Sequence, residues 1–266
     1  MDYSFIIPVK DQWLLTRDML LGLIAHTRPH LKRAEVLIVD DGSREETVRM
    51  LDRLKEPFRV IHNATNTGYA ASNNRAAREA KGEMLVLLNN DLLLTRGWFE
   101  PLLSAHRTEK KLGVAGNVQI NAFTGAVDHM GKFIDPEGLP RHYGQLYEEL
   151  FPCEPDIGFM EFPSVTAACW VIPKRLFLEM GGFDDRYRNG FEDDDFCQRL
   201  WQSGWRSGVA LRSRIYHYVS RSEGRKTHED ANRDRYLSLW KETGMQWYRE
   251  RFDEQFALMR NWKRTT

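Results

Sequence analysis

The 266-residue chain has no apolar run near the roughly 20 residues that span a bilayer and no internal repeat. Lys+Arg and Asp+Glu are both 38, so no net field points to nucleic acid or to an acidic polymer. Cysteine is scarce. Cys153, Cys169 and Cys197 are odd in number and widely spaced, with no Cys-x-x-Cys metal or redox motif. A reduced, cytoplasmic compartment is the simplest expectation. The opening MDYSFIIPVK is interrupted early by Pro8, which reads against a signal peptide. Neither a GxGxxG nor a GxxxxGK[ST] pattern occurs, which removes the usual sequence grounds for dinucleotide or P-loop binding.

What the chain does have is an alternation. Ser4 to Val9, Glu35 to Val39, Arg59 to His62 and Leu85 to Asp91 read as strands, the longest of them continuously apolar. Between and after them, helical patterns run over Trp13 to Thr27, Arg44 to Lys55, Gly68 to Ala80 and Gly97 to His106. Alternating strands and helices imply an α/β fold, a doubly wound and mainly parallel sheet with helices on both faces. Beyond Gly113 strands are expected over Val114 to Ile120, Ala126 to Ile134, Val165 to Ile172 and Arg206 to Tyr218, with a long loop over Pro136 to Pro163. Helices are expected over Pro173 to Met180 and Asp193 to Ser203, then from about Glu229 onward with a break near Gly244. We expect one domain over residues 1–226, divisible into halves 1–110 and 111–226, and a helical extension over 227–266.

Polar clusters sit where strands end or helices begin: Asp40-Asp41-Gly42-Ser43, Asn66-Thr67-Gly68-Tyr69, Asn89-Asn90-Asp91 and Glu192-Asp193-Asp194-Asp195. Open α/β sheets bind ligands outside the carboxyl ends of their strands. A carboxylate after the second strand can accept a hydrogen bond from a nucleobase or ribose, or cap the next helix. Asp91 is a hard oxygen donor suited to Mg2+ or Mn2+. Four abutting acids exceed what a helix dipole needs. Their mutual repulsion tends to raise a pKa, which suits a general base.

Seven stretches carry a resemblance: FIIPVK, VLIVDDGS, NTGYAASNNRAA, LVLLNND, VTAACWVIPKRLFLEMGGFDDRY, FEDDDFCQRL and YHYVSRSEG, in this order over roughly residues 4 to 225. Together they resemble the family 2 glycosyltransferases of GT-A fold, in particular rhamnosyltransferase-like members. The resemblance implies an inverting transfer of a sugar from a UDP-, dTDP- or GDP-linked donor to a hydroxyl of a glycan, lipid-linked or other acceptor, assisted by Mn2+ or Mg2+.

It implies roles residue by residue. Asp193 is the expected general base and Asp195 its runner-up. Asp91 and His217 are the expected metal ligands. Donor contacts are expected from Pro8, Val9, Asp40, Asp41, Asn66, Gly68, Asn74 and Asn90, and from a cationic loop with Arg221, Arg225 and Lys226. Glu192 and Trp170 are expected on the acceptor side, near the segment after Asn117 and the loop from His129 to Tyr147; Tyr143, Tyr147 and Phe151 could also stack on sugars. Relatives often carry Asp where this chain has Asn89 or Asn90, so the metal motif is reduced to one carboxylate. The C-terminal segment, with Tyr248, Phe252, Phe256, Met259 and Trp262 among arginines and lysines, could pack on its own domain, form a homodimer, or touch an anionic membrane surface from the cytoplasmic side. Two rivals stand beside this reading: a sugar nucleotidyltransferase, disfavoured because PVKDQW lacks a glycine-rich loop, and a non-catalytic nucleotide-sugar or glycan-binding module.

Overall fold

A computed structural model describes residues 1–143, 158–219 and 225–262. Four strands run in parallel through its first third: β1 (Tyr3–Val9), β2 (Ala34–Asp40), β3 (Phe58–His62) and β4 (Met84–Leu88). β2 is buried along its whole length, which is why it reads as an unbroken apolar run. The connecting helices are α1 (Trp13–Leu31), α2 (Glu45–Leu51) and α3 (Tyr69–Glu79). Small residues dominate α3, and its Ala70, Ala76 and Ala77 pack into the core beside Ile6, Leu37 and Leu85.

The second part adds β5 (Leu92–Leu94), α4 (Glu100–Thr108), β6 (Leu112–Asn121), β7 (Val127–His129), β8 (Lys132–Ile134), β9 (Pro140–His142), β10 (Phe159–Glu161) and β11 (Cys169–Pro173). It continues with α5 (Lys174–Glu179), α6 (Glu192–Gln202), β12 (Arg206–His217), a short 3-10 turn (Arg225–His228) and α7 (Glu229–Trp262). The main sheet has the order β10-β12-β6-β11-β4-β1-β2-β3, with β5 attached to β12 and β7 to β6. β11 lies antiparallel between β4 and β6, so the parallel unit is extended by a mixed half. Core side chains fill both faces of this sheet.

The structure corrects four readings of the second half. The expected strand over Ala126 to Ile134 is two strands in two sheets, because the chain turns sharply at Gly131 (φ 103°). A Cβ there would sit 2.4 Å from the Phe162 ring, so both the backbone angle and the space demand glycine. The expected loop over Pro136 to Pro163 contains β9 and β10. The strand expected from Val165 begins only at Cys169. Finally, α7 is continuous through Gly244. That glycine serves close approach: a Cβ would stand 3.1 Å from the Ile134 side chain. Tyr236, Trp240 and Trp247 on α7 are buried, with Tyr236 and Trp240 clustered against Leu139 and Tyr187.

Residues 144–157, among them Tyr147, Phe151 and Cys153, lie outside the described residues. So do the side chains of Phe252, Phe256, Met259 and Trp262, on which the dimer and membrane expectations rest. No helix among the described residues is long and apolar enough to cross a membrane. Cys169 and Cys197 are buried free thiols.

Candidate active site

The carboxyl ends of β1, β2 and β4 open onto a cavity of about 340 Å³. Pro8 and Val9 from β1, Asp41 after β2, Asn66 before α3, and Asn90 and Asp91 after β4 line it. A second cavity of about 410 Å³ adjoins it, walled by Lys132, His142, Thr166, Glu192, Asp193, Asp194 and His217. Tyr69, Asn89, Asp91 and Asn189 line both. Asp91 therefore stands where the two spaces meet, on the turn that carries the chain from β4 into β5.

Asp41 is fixed by its surroundings. Its Oδ1 accepts from Thr67 N–H (2.8 Å), Thr67 Oγ1 (2.8 Å) and Asn63 Nδ2 (2.9 Å), and its Oδ2 from Gly68 N–H (2.9 Å). Gly68 thus acts through Asp41 rather than as part of the cavity wall. Asp40 is a correction: its Oδ1 accepts Ser43 N–H and its Oδ2 meets His62 Nδ1 (2.8 Å), so it closes the turn after β2 and does not line the cavity. Asn74 is a second correction. Its Nδ2 donates to Phe183 O and its Oδ1 accepts Phe183 N–H, both at 2.8 Å, which ties α3 to the turn after α5. Asn74→Ala would strand that buried backbone pair at a cost of about 2 kcal/mol. We expect a lowered urea midpoint with unchanged nucleotide affinity, read by denaturation and by calorimetric titration.

His217, at the end of β12, is 3.1 Å from Asp91 Oδ1 through Nε2 and 3.0 Å from Gln119 Oε1 through Nδ1. The Gln119 amide nitrogen is directed at Asn117 Oδ1, so its oxygen faces the imidazole. His217 thus stands between Asp91 and Gln119, with one ring nitrogen toward each. An oxygen–nitrogen donor pair of this kind suits Mn2+ or Mg2+. The described residues offer no cluster of three His, Cys, Asp or Glu ligands, and Asp91 with His217 is the pair they bring together.

The first turn of α6 holds the acids. Consecutive helix residues point in different directions, and the structure separates them. Glu192, Asp193 and Asp194 line the larger cavity. Asp195 turns away: its Oδ1 accepts Trp240 Nε1 (2.8 Å) and its Oδ2 pairs with Arg199 (2.9 Å). It is a correction to the runner-up base. Trp170 is another. It is fully buried, donates to Val165 O (3.2 Å) and packs on Phe183 and Phe196, so it cannot stack on an acceptor. Tyr143 is likewise buried, packed on Phe133 and Phe162. Arg221 lies outside the described residues, as do the side chains of Arg225 and Lys226.

Lys132 escaped the sequence reading. It is 6 % exposed, and its Nζ lies 3.3 Å from both Asp193 carboxylate oxygens and 2.9 Å from both of Asp194. Burial alone would push the Asp193 carboxyl up. Lys132 and the Ala167 N–H (3.1 Å) outweigh burial and hold it below the usual carboxylate range. The expected rise falls on its neighbours. Burial and the Asp193 charge push Glu192 up to about 7. Asp194 is pushed up to about 6, chiefly by burial, against the lowering pull of Lys132. Behind His142, His129 is fully buried, and burial and the His142 and Lys132 charges hold it well below the ordinary histidine range.

Glycosyl transferase family 2 matches residues 4–168 of this sequence. The chain belongs to that family. It is 34 % identical over 229 residues to O-antigen biosynthesis protein RfbC of Myxococcus xanthus, covering 82 % of this chain and 17 % of that protein. It is 25 % identical to N-acetylglucosaminyl-diphospho-decaprenol L-rhamnosyltransferase of Mycobacterium tuberculosis, covering 74 % of each. Among solved structures, GalNAc-T7 with UDP, GalNAc and Mn2+ superposes with a TM-score of 0.68 at 20 % identity, over 84 % of this chain and 45 % of that one. The fold is the GT-A glycosyltransferase fold. Family membership removes the nucleotidyltransferase alternative.

Proposed function

We propose that this family 2 protein is an inverting glycosyltransferase that moves a sugar from a nucleotide-diphosphate donor to an acceptor hydroxyl. One observation carries the reading: Asp91 lines both cavities, and Asp193 faces the larger of them. In this reading the smaller cavity holds the nucleotide, between Pro8, Val9, Asp41 and Asn66, and the larger holds the acceptor. The named relatives support a UDP-type or rhamnosyl-type donor and a glycan or lipid-linked acceptor.

Asp91 and His217 would hold the Mn2+ or Mg2+, which supplies charge neutralisation at the diphosphate. Asp193 accepts the acceptor hydroxyl proton as that oxygen bonds to the anomeric carbon. The bond from that carbon to the diphosphate oxygen breaks, and its electron pair leaves with the nucleotide. A single in-line displacement inverts the anomeric centre and needs no covalent enzyme nucleophile.

The test is a donor screen: the protein with Mn2+ or Mg2+ and UDP-, dTDP- or GDP-linked sugars, with free nucleotide followed over time. We expect slow release from one donor. Metal-dependent nucleotide binding without release from any donor would instead support the binding-module reading, which Asn89 and Asn90 in place of further carboxylates favour.

A further inference from the structure

The acids of α6 have a partner that no motif announces. Lys132 reaches them from β8, behind the Gly131 turn, with its ammonium shared between Asp193 and Asp194. All three are buried at the wall of the larger cavity. Ser164 Oγ donates to Asp194 Oδ1, and the backbone N–H groups of Ala167 and Asp194 donate to Asp193. One cation thus serves two carboxylates, and the remaining donors are fixed backbone or hydroxyl groups. Neither end of the ion pair is mobile surface, so the geometry is held by packing.

We propose that Lys132 is a positioning residue for the proton acceptor of the transfer reaction: its ammonium keeps the Asp193 carboxylate ionised and aimed into the cavity. This rests on the glycosyltransferase reading for its chemistry, but the electrostatic triad is testable without it. Other charged or titratable groups facing the triad are already committed or share its sign. Glu192 lies beside it on α6 and accepts Gly190 N–H. Asp195 is paired with Arg199. Glu229 on α7 lines the cavity. From the opposite walls come His142 and the buried His129, which meet at 3.1 Å, and His217 beside Asp91. Tyr69, Tyr187, Tyr236 and Cys197 also lie within electrostatic reach, with ionisation pushed upward by burial. Lys132 is therefore the one ammonium or guanidinium on the described cavity wall that contacts Asp193.

The effect of removing it has a definite sign. In Lys132→Met two buried carboxylates face each other with no cation, so one holds a proton at pH values where the unfolded chain, with carboxyls near 4, does not. The folded variant then binds more protons than the unfolded one, and its stability falls as pH rises through the raised value. We expect the melting temperature of Lys132→Met to approach that of the parent as pH is lowered from about 8 to 5. We expect Lys132→Met/Asp193→Asn, with one of the two repelling carboxylates removed, to show a weaker dependence, since burial alone still raises Asp194.

With the donor found by the screen, the acid limb of the pH–rate profile should move up by about one unit or more, and Lys132→Arg should restore part of it. A melting difference that is constant across pH, or an acid limb that stays in place, overturns the proposal. Should Lys132→Met fail to fold, Lys132→Met/Asp194→Asn compared with Asp194→Asn carries the same melting test. Should no donor turn over, the glycosyltransferase reading fails, while the substrate-free melting series still decides the triad.

Discussion

Asp193→Asn should lose about 10³-fold in transfer rate while binding the nucleotide as the parent does. The amide is isosteric, so Ala167 N–H and the cavity wall keep their places, but it cannot accept the proton. Lys132 then has one carboxylate, Asp194, and the amide nitrogen must face the Ala167 or Asp194 N–H, so a loss of stability accompanies the loss of rate. Rate and binding must be read separately, by single-turnover sugar transfer and by titration with nucleotide and Mn2+. An active Asn variant would remove Asp193 from the chemistry. The pH profile adds a second discriminator, because two acids in this cavity titrate in different ranges. Asp193 is held below the usual carboxylate range, so a rate that depends on it stays level down to acidic pH. Glu192 sits near 7, so a rate that depended on it would fall as pH drops through neutrality. A limb near 7 in the parent would transfer the base role to Glu192.

Asp91→Ala should abolish metal-dependent nucleotide binding and sugar release together. In this chain the motif after β4 offers Asn89 and Asn90, and Asn90 Nδ2 is spent on Thr16 Oγ1 (2.9 Å). Asp91 is the single carboxylate there, and His217 leans on it at 3.1 Å. Its loss leaves one imidazole, which holds Mn2+ or Mg2+ poorly because both prefer oxygen. Titration calorimetry with UDP, dTDP and GDP, with and without Mn2+, should show a metal-dependent enthalpy in the parent and none in the variant. Binding that persists in Asp91→Ala and remains sensitive to chelator would place the metal elsewhere.

The parallel half of the sheet was legible because a strand buried on both faces writes itself as a continuous apolar run that stops at polar residues. The clusters at those stops marked both cavities for the same reason. What was not legible depended on contacts far apart in sequence. Lys132 stands in a three-residue strand with no periodicity, and its carboxylate partners are 61 and 62 residues away. Asn74 sits in a recognisable segment, yet its use was decided by Phe183, 109 residues on. Only the resemblance ranks Asp193 above Asp195; their spacing does not. Residues two apart on a helix do not share a face, and which face met the cavity depended on where Trp240 docked. The reading of α7 as broken at Gly244 treated glycine as a helix breaker, whereas here its missing side chain admits Ile134.

The position of α7 also sets an order of events during synthesis. Every strand of the main sheet has been made once His217 is joined to the chain. The cavity wall is not complete then, because Glu229 and Asn232 belong to α7, and Trp240, the partner of Asp195, comes later still. The helix is thus the last piece of this wall to be made, laid over strands that precede it in the chain. A chain ended before residue 229 and released from the ribosome should therefore show protease resistance in its sheet yet fail to retain a sugar acceptor.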